Sequence, residues 1–430
     1  MFPLTPGLYR RRWRGAAFAL IVMAAMNTGS VSAQALPPSD LASLVDIALS
    51  RHPALASGQL GVDAARANTD ASGTLPDPRF QIELMDATNA AAGDGASLLP
   101  GQVGSTRYRL IQPLPFPGKL ALQTELAQAR IGNAQARLDA TRLELAARVK
   151  RAFARYYLAH HQQAIIQDNL DLLAALEPII LTRYEVGIVP QQDAIAVQSE
   201  VTRLRAEMIA AVEREGAARA SLNASLLRPA DAPLAPPGEL PEPAAPDTLQ
   251  AYRDALAARS PQLADLRARV ATARASRALT YRDRYPDMAV GLTNNRPREG
   301  ADTWDVMLEV TIPIQQSARR AREREAEHLL LAAQSDLESL TAGLDGQLGE
   351  RWARLASSRE TARLLEETLL PQVRAAYESA EAAYETGQVN FNTLIDAEQR
   401  VLSTRLALLT ARVDQFVSRV DLEELTGVTP

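Results

Sequence analysis

The sequence carries an internal duplication, and this feature constrains the fold most. Tyr-Glu-Val-Gly at residues 184–187 recurs as Tyr-Glu-Thr-Gly at residues 384–387. Leu-Pro-Asp at residues 75–77 is likewise matched by Tyr-Pro-Asp at residues 285–287. Because the matching segments occur in the same order, each half is expected to form the same series of elements.

A proline-rich stretch separates the two halves. Residues 229–247 cannot be helical, because proline lacks the amide hydrogen and the freedom that a helix interior needs. We therefore expect a first repeat over residues 34–228, a stiff linker over 229–247 near the equator of the molecule, and a second repeat over 248–430.

Long helices are expected to make up most of both halves, which predicts a mainly α fold. Four alanine-rich segments carry this pattern: Ser39–Ser72, Lys119–Tyr184, Gln191–Leu227 and Gln316–Tyr384. At 1.5 Å per residue the two longest would each measure about 100 Å and the others about half that. Two short helices placed end to end can therefore pack along one long helix. Pro371 is expected to kink or interrupt the last segment.

One face of the last long segment is expected to be packed. Its large apolar side chains recur at spacings of three and four residues, as in a helix that buries one stripe. They are Leu337, Leu340, Leu344, Leu348, Trp352 and Leu355.

Four short segments have the alternation of strands instead. They lie near residues 78–86, 105–114, 287–294 and 303–314, and each alternates apolar with polar residues. The neighbouring helices run away from them and leave the apolar face uncovered, so a lipid-facing barrel wall is expected. Four strands are fewer than the roughly eight of the smallest membrane barrels, so several copies must complete the wall. Polar segments 87–104 and 296–302 would be the outer loops.

The N-terminus predicts export. Four arginines before residue 15 precede an apolar run over residues 15–26 and small residues at 31–33, the layout of a signal peptide over residues 1–33. A membrane anchor would need about 20 apolar residues. The absence of cysteine excludes a lipid-anchored N-terminus, a disulfide framework and thiolate metal sites.

Other function classes have little support in the sequence. There is no glycine-rich phosphate loop, no Gly-x-Ser-x-Gly and no His-Glu-x-x-His motif, so we expect no enzyme, no cofactor and no bound metal. His160 and His161 are adjacent on a helix and would point in different directions. No concentrated basic patch follows residue 15, which makes nucleic acid an unsuitable partner.

With these residues in view, the chain resembles the TolC-like outer-membrane efflux family. The likeness rests on the turns Tyr184–Gly187 and Tyr384–Gly387, on the helix starts at 191–194 and 392–397, and on residues 112–119. It implies a homotrimer with one 12-stranded barrel in the outer membrane. It also implies a coiled-coil helical tunnel through the periplasm, closed at its inner end by the two turns. The implied partners are a periplasmic membrane-fusion adaptor, an inner-membrane pump and outer-membrane lipid.

The same resemblance implies a gate at the turns. Asp396 matches a position in an acidic ring, Thr393 stands where a second acid often lies, and Asp193 and Tyr384 match parts of a latch. Val389 replaces a basic latch residue, so this latch differs from that of some relatives. A ring of carboxylates in a narrow pore favours cations. Alternatively, Asp193 serves only to stabilise the first turn of its own helix.

Gly187 and Gly387 are expected to form the turns themselves. Glycine readily adopts the positive φ that ends many helices.

The cargo stays open in the sequence. Details of the motifs resemble the branch that serves heavy-metal pumps of the resistance-nodulation-division type, which implies metal cations. Drug efflux and type I protein secretion are the alternatives within the channel class. A soluble periplasmic coiled-coil adaptor is the alternative of another class, and it would need no lipid-compatible strands.

Overall fold

The computed structural model describes residues 39–88, 95–241 and 248–428. The expected signal peptide, the start of the first repeat and linker residues 242–247 lie outside these ranges. The described helices are α1 (Leu41–Arg51), α2 (Pro53–Ser72), α3 (Lys119–Glu185), α4 (Gln191–Ser225), α5 (Leu249–Arg259), α6 (Pro261–Arg282), α7 (Gln316–Leu364), α8 (Leu370–Glu385) and α9 (Phe391–Thr426). The strands are β1 (Arg79–Met85), β2 (Ser105–Leu114), β3 (Asp287–Pro297) and β4 (Thr303–Thr311). None of the described helices has a stretch apolar enough to cross a membrane.

Helix α3 has 67 residues, which confirms the predicted long helix. At 1.5 Å per residue it measures about 100 Å. It starts after Gly118, whose φ of 90° lets the chain turn sharply out of β2. Pro178 lies inside the helix, where the Thr182 hydroxyl donates to the Pro178 carbonyl at 2.9 Å.

The prediction of one helix over Ser39–Ser72 is wrong, because the chain breaks at His52. His52 has extended backbone angles (φ −73°, ψ 123°), as expected of a residue before proline. Its Nδ1 atom accepts a hydrogen bond from the Ala54 amide at 3.2 Å and so caps α2. The second half breaks in the same way, at Ser260 before Pro261.

The long segment from Gln316 is interrupted close to Pro371, as expected. Residues Leu365–Leu369 form a π-helical turn between α7 and α8, and Pro371 occupies the first turn of α8. Proline has no amide hydrogen for the carbonyl one turn back, and a π-turn absorbs that missing bond.

The predicted apolar stripe of α7 is confirmed as core. Leu344, Leu348 and Leu355 are buried, and Trp352 packs beside them with its ring 5.8 Å from that of Tyr252. Helix α5 and the end of α9 complete this cluster. The stripe therefore joins α7 to the last helix of the chain.

The four strands form one antiparallel sheet in the order β1-β2-β3-β4. Strand β3 runs three residues beyond its predicted end, to Pro297. The prediction that the last strand reaches residue 314 is wrong, because β4 ends at Thr311. The Ile314 amide instead donates to the Ile312 carbonyl at 2.9 Å in a tight turn around Pro313, which has no amide hydrogen to give to a neighbouring strand.

The two faces of the sheet differ in polarity. In register, Phe80 lies beside Leu110, then Leu292, then Val306, so one row of apolar side chains crosses all four strands. The side chains of this row are exposed, and Val306 is 80% exposed. The next row, on the opposite face, carries Gln81, Arg109, Thr293 and Asp305.

Polar contacts fix the sheet to the helices. The Lys119 ammonium at the start of α3 contacts Asp283 at 3.0 Å and Asp287 at 2.8 Å. The Phe116 amide donates to Asp287 at 2.8 Å, and the rings of Phe116 and Tyr285 stack with centroids 4.5 Å apart. The strands are thus held at a defined angle to α3 and α6.

The described part of the linker packs against the middle of α3. The Tyr156 hydroxyl donates to the Ala235 carbonyl at 3.3 Å. Gly238 donates its amide to the Ser39 carbonyl at 2.9 Å, and a Cβ at Gly238 would lie only 3.0 Å from that oxygen. Residues 229–241 contain no helix, as their prolines predicted.

Candidate functional site

Two helical hairpins meet at the C-terminal end of α3, the end far from the sheet. One is α3 with α4 and the other is α8 with α9, and a shared apolar cluster joins them. Ile180, Val197 and Phe391 are all buried in this cluster, and Tyr384 packs against it. The two turns, which the sequence places far apart, therefore belong to one site.

Both turns have the same backbone geometry. Gly187 and Gly387 adopt φ values of 76° and 72°, in the positive range that glycine takes readily at a helix end. In the first turn the Ile188 amide donates to the Arg183 carbonyl at 2.8 Å, and the Gly187 amide donates to Tyr184 at 2.9 Å. This pair of bonds is a Schellman motif, which satisfies the last carbonyls of a helix.

The second turn repeats this pattern. The Gln388 amide donates to Ala383 at 2.8 Å and the Gly387 amide donates to Tyr384 at 3.0 Å. The side chains differ in exposure: Tyr184 is exposed, whereas Tyr384 is half-buried. The two tyrosines thus share a backbone position and have different surroundings.

The helices that leave the turns begin differently. Asn390 precedes α9, and its side-chain oxygen accepts from both the Thr393 amide at 3.0 Å and the Thr393 hydroxyl at 2.9 Å. Pro190 precedes α4 and offers no side-chain cap. Thr393 is exposed, and both its amide and its hydroxyl are engaged in the cap of its own helix.

Asp193 lies in the first turn of α4 and is buried, with 3% of its surface exposed. Its Oδ1 atom has no hydrogen-bond partner among the described residues. Burial raises the pKa of the Asp193 carboxyl, and a hydrogen bond from Gln192 opposes the rise. An acid that only stabilises the first turn of its own helix needs no burial, so the burial of Asp193 is not explained by that role alone.

Tyr384 lies close to Asp193. Burial raises the pKa of the Tyr384 hydroxyl, the negative charge of Asp193 adds to the rise, and Arg183 opposes it. The Tyr384 hydroxyl oxygen is buried with no hydrogen-bond partner in the described part of the chain. Its ring meets that of Phe391 edge-on, with centroids 5.5 Å apart. The structure thus brings Asp193 and Tyr384 together, with unused hydrogen-bonding capacity on both.

Asp396 lies apart from this pair. It is exposed on α9, one turn beyond Thr393, and lines a shallow cleft with Arg203 and Arg400. It makes no ion pair within residues 39–88, 95–241 and 248–428. Within one chain, Asp396 and Thr393 therefore share one helix face, and Asp193 and Tyr384 form a separate buried pair.

Sequence reasoning missed a buried pair of carboxylates, Glu398 and Glu200, which lies about two turns beyond Asp193 along α4. Glu398 is 4% exposed, and its Oε2 atom has no hydrogen-bond partner among the described residues. Burial raises the pKa of Glu398, and the charge of Glu200 adds to the rise, whereas the nearby Asn169 side chain and the charge of Arg203 oppose it. Glu200 is itself paired with Arg203 at 2.6 Å.

A signal for this pair is present in the sequence. Leu394, Glu398 and Leu402 recur every four residues, so an acid occupies a position in an apolar stripe. On α4, Val197, Glu200 and Leu204 recur at spacings of three and four residues, so an acid again stands in an apolar stripe.

Metal binding has no support in the part of the chain that the structure describes, where no three His, Cys, Asp or Glu side chains are grouped to hold an ion. His160 and His161 are both half-buried on α3. The Nδ1 atom of His160 lies 3.0 Å from Glu215, whereas His161 packs on Tyr157 with ring centroids 4.2 Å apart. Burial lowers the pKa of His161. The two side chains thus have separate partners.

Comparison with known proteins gives matches along most of the chain. The profile of a family described as outer membrane efflux protein matches residues 44–226 and 252–428. The cobalt-zinc-cadmium resistance protein CzcC of Cupriavidus metallidurans is 23% identical over 333 residues, which cover 75% of this chain and 78% of CzcC. The alkaline protease secretion protein AprF of Pseudomonas aeruginosa is 25% identical over 70% of this chain and 66% of AprF.

A solved structure shares the fold. The structure of CusC, reported with the conformational changes that accompany its folding and transmembrane channel formation, superposes with a TM-score of 0.76 at 17% identity. The superposition covers 92% of this chain and 93% of CusC. The arrangement of long helices and four strands is thus common to both.

Proposed function

Because the chain belongs to the outer membrane efflux protein family, we propose that it forms the outer-membrane channel of a tripartite export system. It conducts solute passively to the outside from an inner-membrane pump, with a periplasmic membrane-fusion adaptor between them. The family consists of transport channels, and the proposed activity breaks no bond. The pump supplies the energy.

The exposed apolar face of the sheet is the observation that carries the proposal. Phe80, Leu110, Leu292 and Val306 form a row that no helix of the described chain covers. Acyl chains would remove this row from water, and the polar face would line an aqueous path.

The sheet edges support a homotrimer. Among the described residues β1 pairs only with β2, and β4 pairs only with β3. Hydrocarbon does not tolerate unpaired backbone groups, so the two edges must meet partners. We propose that three copies join β4 of one to β1 of the next and close a barrel of 12 strands, with the helices forming a periplasmic tunnel.

The proposed domain organisation follows the duplication. It consists of a signal peptide over 1–33, repeats over 34–228 and 248–430, and an equatorial linker over 229–247. The family profile matches each half once, and both halves have the same helix break before a proline and the same Schellman turn. These features support two repeats with one ancestral plan.

We place the gate at the two turns. Asp193 and Tyr384 form a buried pair with free hydrogen-bonding capacity, which suits a latch that a neighbouring copy completes. Asp396 is exposed and would form an acidic ring around the pore, with Thr393 making that ring less negative. Tyr384→Phe should raise open probability in a planar lipid bilayer, and the exposed Tyr184→Phe should not. Equal open probability in both variants would exclude the latch.

Heavy-metal cations are the cargo we propose. CzcC carries cobalt, zinc and cadmium resistance in its name, and an acidic ring favours cations. Protein secretion is the second candidate, because AprF is named for the secretion of a protease. Drug efflux is a third possibility within the same channel class.

Two experiments test these proposals. The purified chain should require detergent and run as a trimer, whereas a soluble periplasmic adaptor would stay in plain buffer. Deleting the gene should lower tolerance to cobalt, zinc and cadmium. If metal tolerance is unchanged and drug tolerance or secretion is lost, the metal cargo is wrong but the channel stands.

A further inference from the structure

A groove lies at the end of the sheet nearest the helices, between the end of α6 and the segment that joins β4 to α7. Its volume is about 410 Å³, within the size range of small-molecule sites. Its lining includes Asp283, Ile312, Pro313, Ile314, Arg319 and Arg322. The groove therefore combines an apolar floor with charged walls.

The apolar floor continues the exposed face of the sheet. Ile312 and Ile314 are 69% and 80% exposed. Ile312 follows Leu308 and Val310 at alternate positions just past the end of β4, and Ile314 stands after the turn around Pro313. The groove thus begins where the apolar face of the sheet ends.

The groove has an excess of positive charge. Asp283 is already paired with Lys119 at 3.0 Å. Glu323 lies 3.7 Å from Arg319 but is held more closely by Arg284, at 2.6 Å.

Of the two groove arginines, Arg322 keeps its binding capacity. It is exposed and makes no ion pair with any described residue. Arg319 is more engaged, because its buried Nε atom lies 3.7 Å from Glu323. Arg319 stands in the first turn of α7, where the helix dipole disfavours cations and favours an added anion.

We propose that this groove binds the headgroup of an anionic phospholipid in the periplasmic leaflet of the outer membrane. The phosphodiester accepts hydrogen bonds from the Arg322 guanidinium, which presents paired donors that match phosphate oxygens, and Arg319 beside it adds positive charge. The acyl chains lie over Ile312 and along the apolar face of β4. A zwitterionic headgroup fits less well, because its ammonium would meet the same two arginines.

This inference rests on the proposed function, since it takes the apolar face of the sheet to meet lipid. The test uses the full chain purified in detergent and titrated with phosphatidylglycerol or phosphatidylethanolamine, with bound lipid counted by native mass spectrometry. We expect the parent to prefer phosphatidylglycerol, and Arg322→Gln to weaken that binding by roughly tenfold. Arg322→Lys should keep part of the preference.

The matched control is Arg324→Gln, which removes an exposed arginine of α7 that does not line the groove. It should bind phosphatidylglycerol like the parent. Equal binding of both lipids by the parent, or equal losses in the Arg322→Gln and Arg324→Gln variants, would overturn the inference. If inorganic phosphate displaces the lipid at matched concentration, the groove is a free-anion site and the lipid assignment is wrong.

The proposed channel and the proposed headgroup site can be refuted separately. A chain that does not enter bilayers at all contradicts the proposed channel. A chain that inserts, forms trimers and shows no preference for anionic lipid contradicts only the headgroup site.

Discussion

Replacing Val306 by arginine tests whether the sheet faces lipid. Val306 is 80% exposed and ends the apolar row that crosses all four strands. Strand β4 has nine residues, so it is about 30 Å long. Tilted by about 40°, it rises about 23 Å, close to the ~25 Å apolar band of a membrane barrel.

The expected cost follows from this position. Val306 lies one residue from the centre of β4, which places it near the middle of that band. An arginine there destabilises a barrel by about 2–4 kcal/mol per chain. The equilibrium constant for folding should fall by a factor of roughly 30 to 1,000.

The assay is urea unfolding in phospholipid vesicles, with recovery from the outer-membrane fraction as a second readout. Asp305→Arg is the matched control, since Asp305 is the preceding residue and lies on the opposite, polar face. It should change the free energy of unfolding by about 0.5 kcal/mol or less. In a soluble hairpin Val306 would meet only water, and both variants would behave alike. Val306→Arg chains that insert and unfold like the Asp305→Arg chains would refute the membrane assignment.

Three further predictions concern the helices. Burial raises the folded-state pKa of Glu398, so the protonated side chain contributes its full stability below the ordinary glutamate value of 4.5, and this contribution is lost as the pH rises through the raised value. Glu398→Gln should therefore raise the thermal midpoint near pH 8, and the gain should vanish near pH 4. A gain that does not depend on pH would contradict this cause. Gly387→Ala should lower the free energy of unfolding by about 1–2 kcal/mol, since φ is 72° there. Gly349→Ala, in the open interior of α7, should leave the free energy of chemical unfolding unchanged or raise it by up to about 1 kcal/mol. Lys119→Met should lower the free energy of unfolding by about 1–3 kcal/mol, because it leaves Asp283 and Asp287 without their cation. An unchanged denaturant midpoint would show that these ion pairs add nothing to stability.

Local chemistry in the sequence was sufficient to predict most elements. The alternation of β1 and β4, the alanine-rich run of α3 and the glycine of each turn depend on neighbouring residues alone, and the structure has all of them. Strand β4 ended early because Pro313 has no amide hydrogen, which is again a local effect. The helix break at His52 is local too, because Pro53 disfavours helical backbone angles at the residue before it, and it could have been predicted from Pro53.

The candidate site was harder to predict, because its features depend on contacts between distant segments. Asp193 is an ordinary first-turn acid in the sequence, and it is buried in a fold that brings Tyr384 of the other hairpin close to it. Glu398 is buried beside Asn169 of α3 and Glu200 of α4. Periodicity within one helix shows which side faces inward but not which partner covers it.

The open edges of the sheet have a genetic consequence. In the proposed trimer each copy depends on two others to pair its backbone, so a chain with a damaged β1 can still offer a sound β4 and enter a ring that it cannot close. Cells that make both sound and damaged copies should therefore lose more export than the damaged fraction alone, and such alleles should act as dominant ones.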